Sequence, residues 1–233
     1  MTLIPTSGIM SLVKLRRHYM ITITNVQTCG WEPALRGMRN PKDSWDRADS
    51  KVWFDPMFSI EVDLGPNDLA LTKTLANAGP VHAKYRRMIK VYCDITAPLY
   101  WWKEFDTYKV GTVANSCSTM HTIHKRDLTL DDFAHEHLSR VNVNLLKMVI
   151  RNINAARREF DKAPDAPEAK EAWWQMIQLL PSSFLQKRTV EMNYEVLAGM
   201  YRWRHNHKQD EWREFCNFIE QLPYADKLII TTF

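Results

Sequence analysis

Apolar and polar positions alternate over Tyr19–Gln27 (YMITITNVQ), which predicts a half-buried strand close to the start of the chain. A short helix follows around Pro33–Met38. The stretch to Pro56 then reads as an irregular surface segment, broken at Asn40-Pro41 and anchored by Trp45 and Trp53. Asn67 caps a helix that runs to about Ala78 with Leu71 and Leu75 on one face, and Gly79-Pro80 stops it. Met88–Thr96 (MIKVYCDIT) predicts a second strand, which leads into a helix begun by Pro98 with Leu99, Trp102 and Phe105 at three-residue spacing. The longest element is a helix whose apolar stripe is Leu138, Val141, Leu145, Val149, Ile153 and Phe160. The Lys162–Pro167 linker separates it from a helix over Glu168–Leu180, which ends at Pro181. Helices over about Thr189–His205 and Gln209–Leu222 and a strand over Leu228–Phe233 complete the pattern. Helices dominate a minority of strands, so the fold class is α/β (α+β), a helix-rich single domain over residues 1–233.

Composition agrees with one folded domain and excludes several functions. Of 233 residues 45% are hydrophobic, ample for a core, and the seven glycines include neither a dinucleotide-binding fingerprint nor a phosphate loop. The net charge of +4 is interleaved and makes no basic tract, so nucleic acid is not indicated as a partner, whereas an anionic small molecule is compatible. Cys29, Cys93, Cys117 and Cys216 lack metal or disulfide spacing, which points to a reducing compartment. The first twenty residues have the wrong order of basic and apolar positions for a secretory signal. No stretch approaches the roughly 18 apolar residues of a membrane helix. The expectation is a cytoplasmic protein without a membrane partner.

Two segments carry candidate chemistry. After the Pro98 helix, Thr112, Asn115, Ser116, Cys117, Ser118, Thr119 and His121 offer short donors that suit a phosphate, a sugar or a pyrimidine edge, or that cap neighbouring helices. Near the C-terminus Asn193, Arg202, Arg204, His205, Asn206 and His207 lie within four turns. A guanidinium at a helix end can grip a phosphate or a pyrimidine carbonyl with two parallel hydrogen bonds, or simply favour the helix dipole. His121-x-x-His124 and His135-Glu-His137 lack a third ligand at helical spacing and read as surface histidines, so no metal is expected. Trp101-Trp102 and Trp173-Trp174 each read as one inward ring and one to the side.

The order of Leu180-Pro181, Asn193, Leu197, Arg204, His207 and Trp212 resembles the C-terminal region of flavin-dependent thymidylate synthases, which methylate dUMP with FAD and a folate. Leu75–Phe105 is similar to that family's run from a helix through a strand into an Ala-Pro-started helix. The resemblance implies a small, mostly antiparallel sheet among helices, a homotetramer, and a methyltransferase acting at C5 of a pyrimidine nucleotide with FAD and a folate one-carbon donor. Carried over residue by residue, it implies Arg204 as the catalytic and nucleotide-binding group, and Asn193, His207 and Lys109 on the cofactor side. Ser116, Ser118 and Thr119, with Arg204, would bind the substrate. The family's Arg-His-Arg signature falls on Thr107, Tyr108 and Lys109, and its later Ser, Ser and Arg on Thr112, Cys117 and Thr119. A non-catalytic or repurposed nucleotide-binding or assembly protein on the same scaffold is the alternative.

Overall fold

The computed structural model describes residues 21–55 and 59–230. A four-stranded antiparallel sheet in the order β1-β4-β6-β5 forms the centre, built from β1 (Thr22–Cys29), β4 (Lys90–Pro98), β5 (Thr112–Ser116) and β6 (Leu185–Asn193). The remaining strands, β2 (Lys51–Asp55) and β3 (Ser59–Asp63), pair as a separate hairpin. The helices are α1 (Trp31–Arg39), α2 (Pro66–Asn77), α3 (Leu99–Phe105), α4 (Thr119–Thr122), α5 (Arg140–Lys162), α6 (Pro167–Leu179), α7 (Tyr194–Arg204), α8 (Asp210–Glu220) and α9 (Ala225–Leu228).

Period-two alternation makes β4 the keel. Val91, Cys93, Ile95 and Ala97 are buried against the helices, while Tyr92, Asp94 and Thr96 face the open side of the sheet. β6 repeats the pattern with Val190 and Met192 inward. Trp31, Trp101, Trp102, Phe105, Trp212 and Phe215 close over this face. Each such side chain, fully buried, stabilises by about 1.5–3 kcal/mol relative to exposure. A second cluster holds α5 and α6 together through Leu146, Ile150, Ile153 and Met176.

Several expectations need correction. The helix placed over Thr189–His205 is β6 as far as Asn193, because Thr189 and Val190 pair with Asp94 and Cys93 of β4; helix begins only at Tyr194. The hydroxyl-rich segment taken as a loop is in part edge strand β5, paired with β6. The supposedly irregular stretch before Pro56 ends in the hairpin strand β2, and its two anchors, Trp45 and Trp53, are 52% and 48% exposed. Trp101 and Trp102 are both fully inward. Leu138, Val141 and Leu145 are exposed, since α6 covers a different face of α5. Ala225–Leu228 is a helical turn, and residues 231–233 of the expected last strand lie outside the described residues, as do residues 19–20 of the first and the N-terminal segment.

Candidate functional site

The end of α7 brings four elements together. Arg204 sits in its last turn, where its Nε donates to the Tyr108 hydroxyl at 2.9 Å and its Nη1 to Glu104 Oε2 at 2.6 Å. The Trp212 indole N–H from α8 donates to the same carboxylate oxygen at 3.0 Å, and the guanidinium lies 4.7 Å from the Trp212 ring centroid. His207 accepts from the Gln209 N–H on Nδ1 at 3.3 Å. The other ring nitrogen, Nε2, lies 3.0 Å from Arg204 Nη1 and 3.7 Å from Glu104. Arg204 is thus neutralised by α3, and Nη2 is its edge without a hydrogen bond among the described residues.

Asn193 is the hinge between β6 and α7. Its Oδ1 caps α7 by accepting from the Val196 N–H at 3.0 Å, and its Nδ2 donates to the Gly111 carbonyl at 3.4 Å. Gly111 adopts φ 86°, and a Cβ there would strike the Asn193 amide, so glycine is what lets the turn before β5 close on α7. Lys109 is exposed in that same turn.

Thr119 begins α4, beyond β5, whereas Lys109 lies in the turn before that strand. With Cys117, Thr122, Arg126, Gln186 and Lys187 it lines a cavity of about 470 Å³. Ser116 and Ser118 flank this cavity without lining it; Ser116 is exposed, and the Ser118 carbonyl accepts from the Thr122 hydroxyl at 2.8 Å. Two of the cavity's cations are already answered: Lys187 pairs with Asp94 at 2.8 Å and Arg126 with Asp132. Hydrogen bonds from Lys187, Thr189 and Asn25 hold the Asp94 carboxyl down at about 2. Burial pushes the Cys93 and Cys216 thiols up to about 12, so Cys117 is the exposed thiol at this cavity.

A second cleft, of about 500 Å³, holds Arg202 from the candidates read in the sequence and is otherwise lined by residues the sequence did not single out as candidates. It runs between the Gly79-Pro80 turn and α7 and is lined by Arg86, Glu195, Gly199, Arg202 and Trp203. Arg86 belongs to the short 3₁₀ turn Lys84–Arg87, in which Tyr85 and Arg86 turn inward and the Tyr85 hydroxyl donates to the Thr72 carbonyl at 3.0 Å. The Arg86 side chain is 5% exposed. Its Nη1 lies 3.4 Å from Glu195, while Nε and Nη2 have no partner. Beside it the Trp203 ring is 71% exposed, with the Arg202 guanidinium 5.3 Å from its centroid. Nothing in the local sequence KYRRM marks Arg86; its significance comes from what surrounds it.

No protein-family model matches this chain, and none of the curated proteins matches it in sequence. Solved structures do. The flavin-dependent thymidylate synthase ThyX from Helicobacter pylori, complexed with FAD and dUMP, superposes with a TM-score of 0.63 at 13% identity, covering 90% of this chain and 100% of that one. A second structure of the same enzyme with FAD and dUMP gives 0.61 at 13% identity, over 91% and 97%. The chain therefore has the fold of these synthases, a helix-rich α+β scaffold with a small antiparallel sheet. No helix among the described residues is long and apolar enough to cross a membrane.

Proposed function

We propose that this chain binds FAD and a pyrimidine nucleotide and methylates the nucleotide at C5, with a folate supplying the one-carbon unit. The observation that carries this reading is Arg86. Two guanidinium nitrogens buried without a partner carry a desolvation cost of about 1–3 kcal/mol each unless a ligand answers them. The Arg86 cleft fits a flavin: the guanidinium suits its phosphate or carbonyl oxygens, and the exposed Trp203 ring suits its planar ring system. A reduced flavin bound there supplies hydride.

The chain's own residues then bind and orient. Arg204 offers Nη2 to a pyrimidine carbonyl while Glu104 and Tyr108 fix its plane. Thr119 lines the cavity that would receive the phosphate, with Ser116 and Ser118 at its flank and Lys187, paired with Asp94, in its wall. Lys109 and His207 serve the cofactor side, and Asn193 holds the β5 turn against α7. Assembly into a homotetramer and action in the cytoplasm belong to the same proposal.

The Arg204–Glu104 ion pair favours one rival, a nucleotide-binding protein without catalysis, because a neutralised arginine polarises a carbonyl less. One experiment separates them. FAD is titrated by fluorescence quenching, and dTMP formation from dUMP is followed with a reductant and a folate one-carbon donor. Saturable FAD binding with product formation supports the enzyme, nucleotide binding without product supports the rival, and no binding of either ligand refutes both.

A further inference from the structure

Gly199 stands in the middle of α7, where a glycine costs about 1 kcal/mol against alanine because the unfolded chain gives up more freedom there. Other glycines have local grounds. A Cβ would strike the backbone of Met88 at Gly30, Asp49 at Gly65 and the Asn193 amide at Gly111, and Gly79 turns at φ 97°. Gly199 has none of these: its backbone is helical, and a Cβ there would meet nothing within 4 Å. The open space is the Arg86 cleft, which Gly199 lines. Positions 195, 199, 202 and 203 share one face of α7, so Glu195 with its partner Arg86 lies one turn before the glycine and Arg202 with Trp203 one turn after it. The facing wall is Ala76 and the Gly79-Pro80 turn, equally short of side chain. The cleft is therefore a slot with bare walls and a guanidinium towards each end.

We propose that Gly199 is the specificity-determining residue of this cleft, and that the flat fused ring of the ligand, not its phosphates, lies against the α7 backbone there. This rests on the reading of the cleft as a flavin site and names the part of the flavin nucleotide that the cleft takes. Gly199 lies beyond the first four residues of α7, so its N–H is bonded within the helix and a phosphate gains nothing by approaching it. What a bare helix surface offers is close dispersion contact with a flat group, and a gap of under an ångström already forfeits much of that. The Trp203 ring, 71% exposed one turn on, extends the surface on which a ring can pack. Arg86, with Nε and Nη2 buried and without a partner, is a donor for acceptors on the edge of such a ring. A methyl group at position 199 would occupy the space that the ring needs.

Gly199→Ala tests this because its two effects have opposite signs. The melting temperature should rise by about 2–4 °C, as a helix gains from alanine, while calorimetry shows FAD and FMN bound about tenfold more weakly or worse. ADP, which lacks the flavin ring, should bind the variant as it binds wild type. Gly199→Leu should remove flavin binding altogether. Gly37→Ala in α1 is the control: its Cβ meets Met88 Sδ at an ordinary 3.5 Å, so it should share the gain in melting temperature and leave FAD affinity unchanged. If wild type binds FAD and Gly199→Ala binds it equally well, the proposal is overturned while the flavin reading stands. A lower melting temperature for Gly199→Ala, or ADP affinity falling in step with that for FAD, overturns it too, since the glycine then serves the fold or the phosphates. A wild-type chain that binds no FAD refutes the flavin reading itself, and the proposal with it.

Discussion

Two arginines are buried among the described residues, and they are buried differently. Arg39, at the end of α1, donates from Nε to Asp68 at 2.7 Å, from Nη1 to the Ser44 carbonyl at 3.0 Å and from Nη2 to the Arg47 carbonyl at 2.8 Å. Asp68 in turn accepts from the Asp49 and Ser50 amides at 3.2 and 2.9 Å. Every nitrogen of that guanidinium is answered, and it ties α1 to α2 and the loop between them. Arg86 lines a cleft and has one 3.4 Å contact with Glu195, while two of its nitrogens are buried without a partner. Burial is the same in both; satisfaction is not. A saturated buried charge is architecture, and an unsaturated one beside open space is a place for a ligand.

The largest effect that tests this contrast is expected from Arg39→Met. It leaves the Asp68 carboxylate buried without its counterion, so stability should fall by about 3–5 kcal/mol, read as the urea midpoint. A loss under about 1 kcal/mol would mean that Arg39 is no more structural than Arg86. Arg86→Met should do the reverse. Stability should change by less than about 1 kcal/mol, while FAD binding by calorimetry weakens by about 1.5–3 kcal/mol, the scale of a hydrogen bond to a charged group. Unchanged FAD affinity would remove Arg86 from the site.

Acid provides a smaller test. Burial raises the Asp68 pKa, but hydrogen bonds from Ser50, Arg39 and the Asp49 and Ser50 amides outweigh it and leave the carboxyl below its ordinary value. A carboxyl depressed in the folded state contributes stability that is full above its unfolded value of about 3.9 and is lost as pH falls through the folded value. Stability should therefore drop below about pH 4, and the drop should be shallower in Asp68→Asn. Equal slopes would place the acid-sensitive group elsewhere.

The smallest effect belongs to Arg204, which stands between the two cases. Tyr108→Phe removes one of its hydrogen bonds and should weaken pyrimidine nucleotide binding by about 0.5–1.5 kcal/mol with the melting temperature nearly unchanged. If melting temperature falls and affinity does not, the Glu104–Arg204–Tyr108 cluster belongs with Arg39.

The sequence by itself determined the elements whose periodicity is local and unambiguous. Strand β4 and the helix after Pro98 appear where the alternation of Val91, Cys93 and Ile95 and the spacing of Trp102 and Phe105 put them, and the order Leu180-Pro181, Asn193, Arg204 pointed to the fold. Tertiary structure decided the rest, because the deciding partners are distant in the chain. Thr189–Asn193 is strand because β4 offers it hydrogen bonds, against its local helical pattern. Val141 and Leu145 share the apolar rhythm of Ile153, yet only the position of α6 determines which of them it covers. Arg86 and Arg39 are indistinguishable as letters, and their roles separate only when the chain closes around them, since a hydrogen bond unmade in the interior is a property of the surroundings and not of the residue.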